Sequence, residues 1–486
     1  MKLKDIDINK TVEDARALLK EEQNISASLR AIFEILLLVI TLLAPKFKLN
    51  SKNSSVPPSA DPNRTRGSKN GKTGKKRGGQ PGHPGYRLEK TAEPDEIEIL
   101  KIDEKRLPKG KYHEAGYEAR QIINIRISTI ITEYRAQIVE NEKGQRFMAD
   151  FPFGVTRDIQ YGSKVKAHSV YMSQFQLIPY NRIEDYFADQ MDIALSGGSI
   201  FNFNQEAYKL LEKFDLVAKH ALIKSPIIHS DETGINVDKK RTWLHSASNR
   251  QWVYFYPHAK RGKEAMDEIE ILPYFKGILC HDHWKPYYGY DCLHALCNAH
   301  HLRELTLAAD EDKQQWAADI RILLTEMNKA VHDAGGVLSE TLQVEYLEKY
   351  DAIITAGEIE CPAPLPPDKP KKGRIKKSKS RNLLERLKDY KEDVLRFMAV
   401  DLLPFTNNTA ENDIRMTKVQ QKISGCFRSM EGAYIFCRVR SYILTCQKNG
   451  VSATESLDIL FQGKLPDFIE HAFQNMPVSD VNTSGM

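Results

Sequence analysis

"SPIIHSDETGINV", residues 225–237, is a short apolar run that passes straight into two acids, Asp231 and Glu232. A brief apolar, β-branched run of this kind reads as a buried strand with carboxylates at its end. Working outward, "RTWLHSAS" (241–248) and "QWVYFYPH" (251–258) read as two more strands, parted by "NR" at 249 and 250. "GKEAMDEIEILPYF" (262–275) reads as helix, and "GILCHDHWKPYY" (277–288) as a strand that ends on Asp282. "HALCNAHHLREL" (294–305) runs from strand into helix. Residues 305–400 look mostly helical, and the chain is helical again from 409 to about 448, with Glu411 in "NNTAENDIR" (407–415).

Two acids at strand ends and one on a covering helix can converge at one edge of a sheet. Hard oxygen ligands suit Mg²⁺ or Mn²⁺. Two such ions about 4 Å apart activate a water or a 3′-hydroxyl at a phosphodiester. Acids at strand ends also arise without any such role, and Glu411 and Arg415, four apart on a helix, read equally as a solvated surface pair. The order strand, strand, strand, helix, strand, with acids on the first and fourth strands, is the RNase H-like arrangement.

The rest of the chain bounds the reading. All seven cysteines lie at or beyond Cys280, so neither a disulfide framework nor secretion is implied, and a cytoplasmic protein is expected. The longest apolar run, "AIFEILLLVITLLA" (31–44), carries Glu34 and is too short to span a bilayer. Ala15, Leu18, Glu22, Ile25, Leu29, Ile32, Leu36, Val39 and Leu43 follow a heptad seam, read as a helix pairing with a second copy or folding back on its own body. Net charge is +5, yet Lys46–Lys90 carries twelve Lys/Arg against two acids, which points to a polyanion such as nucleic acid, or to a soluble linker. Short β-like runs such as "QIINIRISTIITEYRAQIV" (121–139) follow. Residues 161–214 read as helix, turn, helix, broken at Pro179 and Gly197–Gly198, with the second helix starting near Ser199. Generic helix packing is the other reading. A second basic cluster, eight Lys/Arg between Lys369 and Arg381, reads as a DNA contact or a solvated loop. Cys292, Cys297, His300 and His301 lack the spacing of a zinc finger, and Cys297 reads as core. His229, His281 and His283 flank the acids, to orient them or to serve structure.

"NSKNSSVPPSAD" (50–61), "KRGGQPGHPGY" (76–86), "SDETGINVDKKRTWLHSASN" (230–249), "CNAHHLREL" (297–305) and "NNTAENDIRMTKVQQKISGCFRSMEGAY" (407–434) with "SYILTCQKNG" (441–450) resemble, in order, the motifs of the insertion-sequence-66 family of DDE transposases. The resemblance runs from about 45 to 463. It implies an α/β, RNase H-like catalytic core with a helical insertion, preceded by a coiled-coil segment, a basic linker and a helix-turn-helix-like region. It implies a DNA transposase that cleaves transposon ends and joins the freed 3′-hydroxyl to target DNA, using Mg²⁺ or Mn²⁺, two ions. Asp231, Asp282 and Glu411 match the catalytic, metal-binding acids. Arg415 then contacts phosphate or clamps Glu411. Expected DNA contacts are Arg303, His300, Lys75, Lys76, Arg77, Lys371, Lys372 and Arg374.

The expected boundaries are a helical oligomerisation segment over 1–45, a basic linker over 46–90, a small β-containing domain over 91–155 and a DNA-binding helical region over 156–222. The catalytic domain takes 223–304 and 396–463, around a helical insertion at 305–395, with a tail over 464–486. The chain departs from the family in "LPKGKYHEAGYEARQI" (107–122), which has no cysteine, so no zinc is expected, and in Asn412, where relatives often have arginine. Expected partners are transposon-end DNA, target DNA, a second copy of the chain and small accessory proteins of the element, with no membrane. A binding-only relative that has lost catalysis, or a structure-selective nuclease on the same fold, are the competing readings; the presence of all three acids weighs against the first.

Overall fold

The computed structural model describes residues 2–3, 6–22, 25–48, 50, 88–152, 154–364 and 377–477. Lys75, Lys76, Arg77, Lys371, Lys372 and Arg374 lie outside the described residues. Strands β1 (Lys2–Leu3) and β2 (Ile6–Asp7) lead into helices α1 (Ile8–Glu21) and α2 (Ala27–Lys48). The heptad seam is cut between them: Ser26 starts α2, its hydroxyl accepting the Leu29 N–H at 3.3 Å, as an N-cap does. The two helices pack on each other. Leu29, Ile32, Leu36 and Val39 stay exposed.

The β-like run at 121–139 becomes a strand only at its end. β3 (Ile138–Glu140) pairs with β4 (Arg146–Met148) in a hairpin. Upstream, Ile122, Ile125 and Ile131 are exposed. A β-branched run forms a strand where a neighbouring edge accepts its backbone ladder. Here Gln121 reaches Thr91, and Arg126 reaches Glu96, through side chains instead.

Helices α3 (Ser163–Val170), α4 (Tyr180–Met191), α5 (Gly197–Leu210) and α6 (Glu212–Ile223) follow. Pro179 opens α4. Ser196 Oγ caps the Ser199 N–H at 3.1 Å, so α5 begins two residues ahead of Ser199. Ile183, Phe187, Ile200, Phe203, Phe214 and Leu222 share a core with Ile228 and Leu279 of the sheet.

That sheet holds β5 (Ile227–Val237), β6 (Lys240–Ser248), β7 (Val253–His258), β8 (Ile278–His281) and β9 (Leu293–Leu296), with α7 (Lys263–Ile269) between β7 and β8. The order is β7-β6-β5-β8-β9. β5, β6 and β7 are antiparallel neighbours; β8 and β9 run parallel to β5. Gly277 lets β8 begin against β5, since a Cβ there would sit 2.5 Å from the Pro226 carbonyl oxygen. Both edges are covered, as exposed sheet edges invite association. The Val253 and Phe255 N–H groups donate to Thr445 Oγ1 and Ser441 Oγ of α14 (Met430–Lys448) at 3.0 and 2.8 Å. On β9, the His294 carbonyl accepts from Arg396 Nε at 2.8 Å.

After α8 (Asn298–Asp310), helices α9 (Gln315–Asp333), α10 (Glu340–Glu360), α11 (Lys379–Asp389) and α12 (Lys391–Leu395) enclose their own core around Trp316, Leu324, Tyr350 and Leu384. Arg381, with only 8 % of its side chain exposed, ties the end of α10 to the start of α11. It donates to Glu358 Oε2 at 3.0 Å, the Cys361 carbonyl at 2.8 Å and Glu385 Oε1 at 2.9 Å.

The helix expected over 409–448 is two. α13 (Asn408–Ser424) stops at Gly425, whose φ of +77° is the left-handed turn that favours glycine. The chain then extends so that Phe427 pairs with Val237 at the end of β5. α15 (Ala453–Leu460) and α16 (Asp467–Gln474) close the chain. Ile469 is fully buried and α16 packs on α6, so part of the expected tail belongs to the core. Among the described residues no helix is long and apolar enough to cross a membrane.

Candidate active site

Strand register brings the first two acids together. β5 and β8 pair Ile227 with Ile278, Ile228 with Leu279 and His229 with Cys280. The ladder ends there; Asp282 is the first residue past β8, and its charge bears on Asp231 inside β5. The backbone turns sharply there: His283 has φ of +71°, uncommon for a side chain of its size. Asp282 Oδ1 accepts the Trp284 N–H at 3.0 Å. The aromatic rings of Tyr390 and Tyr288 pack on His283 at 4.5 and 5.6 Å and hold the strained residue in place.

Glu411 arrives on the first turn of α13, which is fastened to β5 at both ends. Phe427 holds the far end. Asn407, 1 % exposed, holds the near end. Its backbone N–H donates to Cys297 Sγ at 3.1 Å and its side-chain amide donates to the Ser230 carbonyl at 2.9 Å. Its Oδ1 lies 2.8 Å from His229 Nδ1, so that ring nitrogen carries the proton and donates. Neighbouring residues of both Asp231 and Glu411 therefore meet in one buried amide. Asn407→Ala leaves the His229 N–H and the Ser230 carbonyl without partners, and is expected to cost about 2–4 kcal/mol in stability, read from denaturant unfolding.

The carboxylates crowd one another. Burial, then the neighbouring Glu232 and Asp282, push the Asp231 carboxyl up to about 8, and Glu411 adds a smaller push. The Glu232 N–H opposes them, donating to Asp231 Oδ1 at 2.8 Å. Burial, then Asp282, also raises Glu232. Glu232 is engaged elsewhere: Arg261 Nε donates to its Oε1 at 2.7 Å and the Tyr287 hydroxyl to its Oε2 at 2.6 Å. Arg261 in turn lies over the rings of Trp243 and Trp284.

Of the residues singled out in the sequence, Asp231, Asp282, Glu411 and His300 come together. His300 Nδ1 lies 4.0 Å from Glu411 Oε1, and both atoms are buried without a hydrogen-bond partner. Arg415 is exposed and forms no clamp on Glu411. Arg303 is half-buried on α8. His229 orients the Asn407 anchor. His281 is buried with Nε2 3.1 Å from His294 Nδ1. The sequence reading did not find Asn407, Arg261 or Tyr287. Asn407 resembles an ordinary helix N-cap, and Arg261 and Tyr287 carry no motif.

Residues 158–435 match the family described as Transposase IS66 family. Residues 5–89 match a family of unknown function, DUF6444. No curated protein matches the chain.

Proposed function

We propose a chemistry for a chain that belongs to the IS66 family of transposases: metal-dependent cutting of the transposon ends, then strand transfer of the freed 3′-hydroxyl into target DNA, at Asp231, Asp282 and Glu411. The observation that carries it is the gathering of these acids, Asp231 within β5 and Asp282 just past the end of the parallel β8, where burial first and then the neighbouring Glu232 and Asp282 push the Asp231 carboxyl up to about 8. Such a set fits a divalent cation. Opposite charge relieves the repulsion, and Glu411 Oε1 is buried with no hydrogen bond to give up. Asp231, Asp282 and Glu411 would hold Mg²⁺ or Mn²⁺, two ions between their carboxylate oxygens. Bound there, the ions would supply Lewis acidity at the scissile phosphate and an ionised attacking oxygen.

The chain's own part is preparation. Asp231 would hold the cation as its carboxylate, its proton passing to solvent. Asn407 and Phe427 keep Glu411 over β5. Arg261 and Tyr287 occupy both oxygens of Glu232 and keep that fourth carboxylate out of the set. The sheet order, three antiparallel strands followed by two parallel to the first, supports the RNase H-like reading. In this reading the helices of 156–222, Arg303 and Arg415 meet transposon-end and target DNA. The exposed seam of α2 pairs two copies in the DNA complex, at the nucleoid in the cytoplasm, with small accessory proteins as further partners.

The test is a plasmid carrying the element's own ends, incubated with the protein and Mg²⁺ or Mn²⁺. Nicks confined to the ends and dependent on metal support the reading. Binding of the ends without cutting, with either ion and with the element's accessory proteins present, overturns it in favour of a binding-only protein.

A further inference from the structure

The same helix N-terminus that fixes Asn407 carries a second set of ligand atoms. Cys297 directly follows β9 and is the N-cap residue of α8; His300 lies on the first turn of α8. Cys297 Sγ, a ring nitrogen of His300 and a carboxylate oxygen of Glu411 lie within 4.8 Å of one another. Sulfur, imidazole and carboxylate together make a mixed set that suits zinc or cobalt and that magnesium does not favour.

Three features indicate that the set is arranged for a cation. Cys297 Sγ is buried and accepts the Asn407 N–H at 3.1 Å, which fixes it beside His300 and Glu411; burial, with Glu411 adding to it, raises the thiol against the pull of the Asn407, His300 and Ala299 N–H groups, so a cation is what would draw out the thiolate. His300 Nδ1 and Glu411 Oε1 are buried and face each other with no hydrogen-bond partner, an arrangement a shared ion satisfies. The His300 and Glu411 side chains keep 24 % and 26 % of their surface, which leaves a coordination position open to water.

We propose that Cys297, His300 and Glu411 form a binding site for a soft divalent cation, separate from the oxygen set of Asp231 and Asp282 but sharing Glu411 with it. A soft ion held there engages the carboxylate that the reading under Proposed function needs as its third acid. That consequence rests on that reading; the binding itself does not.

Cobalt(II) is the probe, added to the full-length, reduced, metal-free protein. A thiolate ligand gives cobalt an intense near-ultraviolet charge-transfer band. The band is expected in wild type and lost in Cys297→Ser. In His300→Ala and Glu411→Gln the cobalt affinity is expected to fall by about tenfold or more. In Asp231→Asn and Asp282→Asn the band is expected to persist. Because Cys297 is buried and its replacement could unfold the site, the partly exposed His300 and Glu411 variants carry the test independently, with thermal unfolding as the check on folding. No band in folded wild type overturns the proposal. So does a band that survives Cys297→Ser, or one indifferent to both His300→Ala and Glu411→Gln. End nicking with Mg²⁺ reports on the three-acid reading alone, so the two fail separately.

Discussion

Asp282→Asn is expected to lower metal-dependent nicking at the element's ends by about 10³-fold or more while leaving end binding within about twofold. The amide is nearly isosteric and keeps the acceptor oxygen that meets the Trp284 N–H, so the turn at His283 survives. What is lost is a formal charge and an anionic ligand at the point where β8 delivers it beside β5. DNA affinity is dominated by phosphate contacts made elsewhere on the protein, which this change does not touch. Gel shift and nicking on the same DNA separate the two quantities. Equal nicking by wild type and variant would remove Asp282 from the catalytic set. A parallel loss of binding would move it to the DNA interface.

The second large effect runs the opposite way, on stability. Asp231→Asn is expected to stabilise the metal-free protein at pH 8, by on the order of 2–4 kcal/mol, or roughly 5 °C in Tm. In the native state the Asp231 carboxyl holds its proton up to about 8. In the unfolded chain it lets go near 3.9. Between these values the unfolded state binds fewer protons, so wild-type stability falls as pH rises, and the loss is complete above pH 8. Asparagine has no proton to lose. The Tm gap between variant and wild type should therefore be small near pH 4 and widen up to pH 8. Mg²⁺ or Mn²⁺ should raise the Tm of wild type and do little for the variant. A gap that stays constant with pH would mean that Asp231 is not under electrostatic strain.

Much of the sheet was legible in the sequence because a buried strand needs a contiguous apolar run. In "GILCHD" the strand stops ahead of its acid, but in "SPIIHSDETGINV" it does not: β5 runs on through Asp231 to Val237, with Glu232, Ile235 and Val237 buried. Register was not legible. No local pattern says that His229 pairs with Cys280, and it is that pairing which brings the end of β8, with Asp282 just past it, alongside the part of β5 that carries Asp231. Asn407 was hidden for a different reason. Asparagine ahead of a helix normally caps it, but here the side chain makes no cap bond and crosses to β5. The break at Gly425 was missed because what stops α13 is a pairing with a strand nearly two hundred residues earlier. The Cys/His cluster failed as a finger because its members part ways. Cys292 packs toward the main core and His301 is bound to Asn298. Cys297 and His300 remain, and the third ligand atom comes from α13, far along the chain. The isoleucines of 121–131 show the converse: a good strand pattern with no edge to join forms no ladder and stays exposed.

Arg381 has one more consequence. By tying Glu358 and the Cys361 carbonyl to α11, it closes the span 362–378 at its base. The clamp makes the meeting of α10 and α11 a property of the described residues themselves, independent of what joins them. Replacing residues 365–376 by a neutral stretch is thus expected to leave the thermal unfolding of the helical bundle, and the places of Asp231, Asp282 and Glu411, unchanged.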